Sequence, residues 1–143
     1  MHASVPKLVV IDDDRGILRA LQRYLVGVNG WAVRTAPSGE AGLELIATEL
    51  PDVVLMDVLM PACTGIEVAK EIHKRFGDQA PPVVLMSGSE DFRDAEMALL
   101  RRVGVIGFLE KPFSASTLAD DLMQLVEAAP GAHWRRRGES EVA

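Results

Sequence analysis

The chain has a single cysteine, Cys63, among its 143 residues, so it can form no internal disulfide. Without a partner thiol, Cys63 reads as a small side chain filling the loop after residue 57 rather than as a redox centre. No apolar stretch is long enough to span a bilayer, so no membrane association is expected. The segment Met1 to Lys7 is short, mixed and polar and lacks the apolar centre of a signal peptide, which makes the cytoplasm the expected location. No repeat and no second domain is visible. Positive charge is in short supply: the net charge is −6, and Arg135, Arg136 and Arg137 sit in the tail, leaving the body more acidic still. Direct nucleic-acid binding by this chain is therefore not expected.

The chain does have apolar residues, 48% of the total, enough for one domain with a real core. They are arranged in short runs that stop at polar residues. Val53-Val54-Leu55-Met56 runs into Asp57, with Met60-Pro61 and Gly65 following. Leu8-Val9-Val10-Ile11 runs into Asp12-Asp13-Asp14. Val83-Val84-Leu85-Met86 runs into Ser87-Gly88-Ser89, and Val105-Ile106-Gly107-Phe108-Leu109 into Glu110-Lys111-Pro112. Unbroken apolar runs bounded by turn residues read as strands buried on both faces, the pattern of a parallel sheet. If the strands are parallel, their carboxyl ends bring several carboxylates, a hydroxyl and an ammonium to one edge, where open α/β sheets bind ligands.

Between the strands the apolar period lengthens to that of a helix. Helix one follows Asp14, a plausible N-cap, with Ile17, Leu18, Leu21 and Leu25 as its stripe; Gly27 and Gly30 mark its end. Trp31 to Ala36 reads as a strand. Helix two follows Pro37-Ser38-Gly39, with Leu43, Ile46, Ala47 and Leu50 as its stripe, and Pro51 closes it. Thr64-Gly65-Ile66-Glu67 has the form of a capping box opening helix three, whose stripe is Val68, Ala69, Ile72 and Phe76; Gly77 stops it. Helix four is expected over about 90–102, with Phe92, Ala95, Leu99 and Val103 inward. Helix five is expected over about 114–128, with Leu118, Leu122 and Leu125 inward and Pro130-Gly131 as its breaker. Alternating strands and helices imply an α/β fold, a parallel sheet covered by helices on both faces, with right-handed crossovers.

Three carboxylates at one sheet edge, Asp12, Asp13 and Asp57, would raise each other's pKa unless a cation intervenes. An all-oxygen donor set suits Mg²⁺, and no histidine or cysteine is placed to make a zinc site. Mg²⁺ and Lys111 together would neutralise phosphoryl oxygens, most of what phosphoryl transfer asks of a protein. A carboxylate can itself be the attacking group. Asp57 stands alone at the end of a central strand and fits that role, leaving Asp12 and Asp13 for metal and Ser87 to donate to a phosphoryl oxygen.

These residues taken together resemble the receiver domains of bacterial two-component response regulators. The resemblance rests on Asp12-Asp13, Met56-Asp57 with Met60-Pro61 and Gly65, Ser87-Gly88 and Lys111-Pro112, and covers about residues 7–128. It implies a flavodoxin-like five-stranded parallel sheet in the order 2-1-3-4-5 with five helices on both faces. The receiver unit would be residues 1–129, and 130–143 a flexible tail. It implies that Asp57 accepts a phosphoryl group and that Asp13 and Asp57 ligate Mg²⁺. The backbone carbonyl of Leu59 would be a further ligand, and Asp12 would act largely through water. Lys111 would pair with the phosphoryl group, across a cis Lys111–Pro112 bond. Ser87 and Phe108 match the switch pair. The implied donor is a sensor histidine kinase or histidine phosphotransfer protein. The output goes to an unknown downstream protein through helix four, strand five and helix five, with a phosphorylation-dependent homodimer as one form it can take.

The chain departs from the commonest pattern in having Ser87 where threonine is frequent and Phe108 where tyrosine is frequent. Leu59 and Ser89 fall where the family tunes the lifetime of the phosphoryl group. An apolar Leu59 cannot orient water, so at most slow self-dephosphorylation is expected and the chain reads as a regulator rather than an enzyme. An aspartyl-nucleophile phosphohydrolase would commonly carry a second acid two residues after the nucleophile, and Leu59 is in that place. His73 reads as a helix-surface residue. His133 to Arg137 reads as a solvated tail, with a docking peptide for a partner or a strap across the acidic body as the alternative.

Overall fold

The computed structural model describes residues 5–88 and 94–129. The elements follow in the order β1 (Lys7–Ile11), α1 (Arg15–Gly27), β2 (Ala32–Ala36), α2 (Gly39–Thr48), β3 (Val53–Asp57), α3 (Gly65–Phe76), a short 3₁₀ turn (Gly77–Gln79), β4 (Val83–Ser87), α4 (Asp94–Arg102), β5 (Val105–Glu110) and α5 (Ala115–Ala128). All strand pairs are parallel, and the sheet order is β2-β1-β3-β4-β5. Ser89, Phe92, the expected start of the fourth helix, the Pro130-Gly131 breaker and the tail with His133 to Arg137 lie outside the described residues.

Alternate residues of each strand feed two cores. Leu8, Val10, Val53, Leu55, Val84 and Met86 pack with α1 and α5. Val9, Ile11, Val54, Met56, Val83 and Leu85 pack with α2, α3 and α4. This division follows from the strand order. The step from β1 to β2 runs one way along the sheet, whereas the later steps run the other way. Crossovers of one hand then place α1 opposite α2, α3 and α4. The chain parts between β1 and β3, the point at which such sheets bind ligands.

Local signals set the helix ends. The Asp14 carboxylate accepts from the N–H groups of Gly16 and Ile17 at 2.9 and 3.2 Å, so Asp14 is an N-cap. Thr64 and Glu67 form both halves of the capping box. Helix α3 ends at Gly77, whose φ is 53°, a conformation glycine adopts without strain.

Two apolar stripes lie elsewhere than the sequence periodicity implies. In α2 the buried positions are Gly39, Gly42 and Ile46, whereas Ala47 and Leu50 are exposed. Gly42 faces the sheet because a Cβ there would meet Ile11 Cγ1 at 2.6 Å. Counting only side chains that carry carbon overlooks a glycine that lets the helix approach. Among the described side chains of α4 the buried residue is Leu100, and Leu99 is 51% exposed; adjacent leucines compete for one inward position, and Leu100 takes it against Val105. The Ala95 side chain lies outside the described residues. Strand β2 begins at Ala32, with Trp31 buried just before it.

Strand β5 carries an irregularity. Val83 pairs with Val105, but Val84 pairs with Gly107, so Ile106 is an extra residue and the strand is bulged. Beyond the bulge, Leu85 pairs with Phe108, Met86 with Leu109 and Ser87 with Glu110. Phe108 therefore turns to the α2–α4 core, and Leu109 to the α1–α5 core.

Candidate functional site

Register brings the acidic strand ends together. Ile11 pairs with Met56, so Asp12 and Asp57 are neighbours at the carboxyl edge. By the alternation of each strand, both side chains fall on the α1–α5 side. Lys111 lies two residues past Leu109 and falls on that side as well. Its Nζ is 3.1 Å from Asp12 Oδ2 and 3.2 Å from Asp57 Oδ2. Oxygens of Asp12, Asp13 and Asp57 lie within 4.8 Å of one another. Four of the expected site residues thus meet in space, although Lys111 is 99 residues from Asp12 in sequence.

The surroundings of each group differ. Asp12 is fully buried, whereas the Asp57 side chain keeps 13% of its surface; Asp13 is exposed. Asp12 Oδ1 accepts from the Asp14 N–H at 2.9 Å. Asp57 Oδ1 accepts from the Leu59 N–H at 3.3 Å, a weaker contact that ties the following loop to the acid. The Lys111–Pro112 bond is cis, as the resemblance implies. The Lys111 N–H donates to the Ser87 carbonyl at 2.7 Å.

Ser87 is buried at the end of β4. By strand alternation it faces the α4 side, sharing that side with Phe108 but standing nearer the edge. Phe108 is half-buried and lines a depression of about 300 Å³ with Met97, Leu100 and Arg101. The two residues expected as the switch pair therefore share a face of the sheet. Leu59 is 60% exposed beside the site.

Gly65 sits tighter against the site than its place in the motif suggests. A Cβ there would overlap the Asp57 carbonyl oxygen and lie 3.1 Å from Val58 Cα. The Gly65 N–H donates to the Val58 carbonyl at 2.7 Å. Helix α3 is thus anchored by its first residue to the end of β3. The signal for this was a glycine directly after a capping threonine.

The electrostatics show a site short of positive charge. Burial pushes the Asp12 carboxyl above its usual range. The Asp14 N–H and Lys111 pull it down without cancelling that rise, and the Asp57 carboxylate adds to it. Burial pulls the Lys111 ammonium down, but Asp12 and then Asp57 outweigh it and hold its pKa above the ordinary lysine value. Both partners can be raised because the penalty on a fully buried carboxylate exceeds what one shared ammonium returns. In the absence of a metal ion, the folded state holds the Asp12 proton more tightly than the unfolded state does. Stability then falls as pH rises from the ordinary carboxyl value through the raised one. The Lys111 contribution persists at neutral pH and is lost only as pH rises through its raised pKa.

A test follows. Asn keeps the acceptor for the Asp14 N–H and removes the buried charge. Asp12→Asn is therefore expected to raise the melting temperature in chelator by about 2–5 °C and to reduce the stabilisation that added Mg²⁺ gives. Thermal scans of both proteins with and without Mg²⁺ measure this; an equal or lower melting temperature for the variant in chelator contradicts it. The grouped donors are three carboxylates, a set that fits a hard divalent cation such as Mg²⁺.

Residues 8–123 match the family described as the response regulator receiver domain. The chain is 37% identical over 112 residues to the response regulator MprA of Mycolicibacterium vanbaalenii, covering 78% of this chain and 46% of that one. It is 36% identical over 112 residues to the MprA of Mycobacterium ulcerans, with the same coverage. The chain thus spans about half the length of these curated relatives. Among solved structures it is similar to the chemotaxis protein CheY4 of Vibrio cholerae, with a TM-score of 0.74, 27% identity, and 85% of this chain and 99% of that one covered. The receiver domain of NtrX from Brucella abortus gives a TM-score of 0.70 and 27% identity, covering 85% and 98%. The matched region contains all five strands but for the first residue of β1, and the whole carboxylate–lysine cluster, and the chain belongs to the response regulator receiver domain family of two-component signalling.

Proposed function

We propose that Asp57 accepts a phosphoryl group from a phosphohistidine on a sensor histidine kinase or a histidine phosphotransfer protein. The observation that carries this reading is Lys111 Nζ held between Asp12 and Asp57 at 3.1 and 3.2 Å, with Asp13 in the same cluster. An Asp57 carboxylate oxygen attacks phosphorus, the P–N bond breaks, and the imidazole leaves with the electron pair and takes a proton. The product is an acyl phosphate. Lys111 exchanges contact with the carboxylates for contact with a phosphoryl oxygen, and Ser87 donates to another. Asp13, Asp57 and the Leu59 carbonyl would hold Mg²⁺, with Asp12 acting largely through water. When bound, the ion supplies positive charge opposite the phosphoryl oxygens.

The modification would bias two conformations. Ser87 moves toward the phosphoryl group and Phe108 turns inward from the face made by α4, β5 and α5. That face would bind the downstream protein or a second phosphorylated copy. Residues 1–129 would act as the receiver unit. No described helix is long and apolar enough to cross a membrane, and we place the reaction in the cytoplasm. The test is intact-protein mass after incubation with Mg²⁺ and acetyl phosphate: a gain of one phosphoryl group is expected, and it is lost when the Mg²⁺ is chelated.

Once formed, the acyl phosphate should decay slowly. Leu59 presents an apolar surface beside Asp57 and offers water no side-chain partner. Leu59→Asn is expected to speed decay about tenfold, within the range that positioning one water contributes. Decay followed by mass after removal of donor checks this; an unchanged rate contradicts it.

A further inference from the structure

We infer that the segment following α5 docks on an apolar patch at the edge where the strands begin, with Trp134 against Val26 and Val28 and Arg135 to Arg137 over the ends of α1 and α5. The inference does not depend on phosphoryl uptake. Among the described residues the large apolar side chains left exposed are Val5, Val26, Val28, Leu50, Leu59 and Leu99. Leu59 adjoins the phosphoacceptor site and Leu99 lies on α4. The other four gather at the opposite end of the sheet from Asp57. Lys7 pairs with Ala32 and Leu8 with Val53, so continuing both registers back sets Val5 level with Gly30 and Leu50. Val26 and Val28 lie where α1 ends. Val26 also lines a depression of about 340 Å³ with Trp31, Ala32 and Lys7, room enough for an indole ring. Apolar side chains gathered in this way mark a surface that another segment covers.

Reach and charge name the occupant. Helices α1 and α5 pack side by side, Leu21 and Leu25 sharing a core with Leu122 and Val126, and both run to the same edge. The chain leaves α5 at Ala129, about one helix diameter, or 10 Å, from the end of α1. The five residues from Ala129 to Trp134 extend about 17 Å, enough to set the indole on Val26 and Val28. The last turns of α3 and α4 carry His73, Lys74, Arg75, Arg101 and Arg102. Those of α1, α2 and α5 carry no basic residue, so their carbonyl ends lack the positive charge that suits a helix C-terminus. Arg135 to Arg137 supply it there and are repelled from the ends of α3 and α4. Glu127 in the last turn of α5 and Asp52 beside Leu50 add to the attraction.

The experiment measures the solvent exposure of Trp134 in the full chain labelled with 5-fluorotryptophan. Its ¹⁹F resonance is the one lost in Trp134→Phe, and a soluble nitroxide reports how accessible it is. A free peptide of residues 130–143 is the reference. The nitroxide should broaden Trp134 about fivefold less in the protein than in the peptide, equivalent to docking about four-fifths of the time. Val26→Asp with Val28→Asp should restore the peptide value; both valines are exposed, so the fold tolerates the change. Arg135→Glu, Arg136→Glu and Arg137→Glu together should restore it as well. Acrylamide quenching of the unlabelled protein, compared with Trp134→Phe, repeats the measurement without fluorine. Exposure of Trp134 in the wild type equal to that in the peptide overturns the inference. So does protection that survives either set of variants, or protection that disappears on dilution, which would give the patch to a second copy of the chain.

Discussion

Asp57→Asn is expected to abolish phosphoryl uptake. Wild-type protein given Mg²⁺ and acetyl phosphate gains the mass of one phosphoryl group, and the variant gains none, its rate falling by at least about 10³-fold. The argument is chemical first. An amide oxygen is a poor nucleophile toward phosphorus, and the neighbouring groups do not replace it. Asp12 is fully buried and lies against Lys111 and the Asp14 N–H. The Ser87 hydroxyl is neutral and has the role of a donor to the phosphoryl group, not of its acceptor. The fold should survive, because the side chain at this position lies at the strand's end and removing one carboxylate relieves like-charge crowding. Intact mass decides uptake and circular dichroism decides folding. A variant that folds and still gains the phosphoryl group would place the acceptor elsewhere.

Gly65→Ala should produce the largest effect on stability, and a loss of function with it. The added Cβ would meet the Asp57 carbonyl oxygen and the Val58 Cα, both backbone, so no rotamer change relieves the overlap. Either the first turn of α3 moves away, breaking the Gly65–Val58 bond of 2.7 Å, or the end of β3 shifts and carries Asp57 with it. Overpacking of this kind costs about 3 kcal/mol, which lowers the melting temperature by about 10 °C for a domain of this size. Gly42→Ala is the comparison. There the obstacle is the Ile11 side chain, which can shift in part, so the expected loss is smaller. Thermal unfolding of both variants checks the ranking, and phosphoryl uptake by Gly65→Ala checks the displacement of Asp57. A Gly65→Ala protein as stable as Gly42→Ala would contradict the backbone argument.

Much of the fold was legible because its elements announce themselves locally. The run Val53 to Asp57 is a strand ending at its carboxylate, and Thr64 with Glu67 caps the next helix. Asp14 caps α1 as its position suggested. What was misread depended on neighbours that periodicity does not contain. Gly42 is a core residue of α2 because the sheet lies against it, and Leu100 displaces Leu99 because only one of two adjacent leucines can face inward.

The sequence alone determined which groups stand at strand ends: three acids, a hydroxyl and a lysine, each within two residues of the end of an apolar run. Polarity and spacing suffice for that, since an apolar run long enough for one strand must stop where the chain leaves the core. Tertiary structure decided which of those groups face one another. The extra residue Ile106 shifts β5 by one position, and a one-residue shift reverses every side chain beyond it. Were Ile106 paired regularly opposite Val84, alternation would turn Glu110 toward Asp12 and Asp57, and Lys111 away from them. A site with a lysine between two aspartates and a site with another carboxylate there differ by that single unpaired residue, which only the pairing of β5 with β4 reveals.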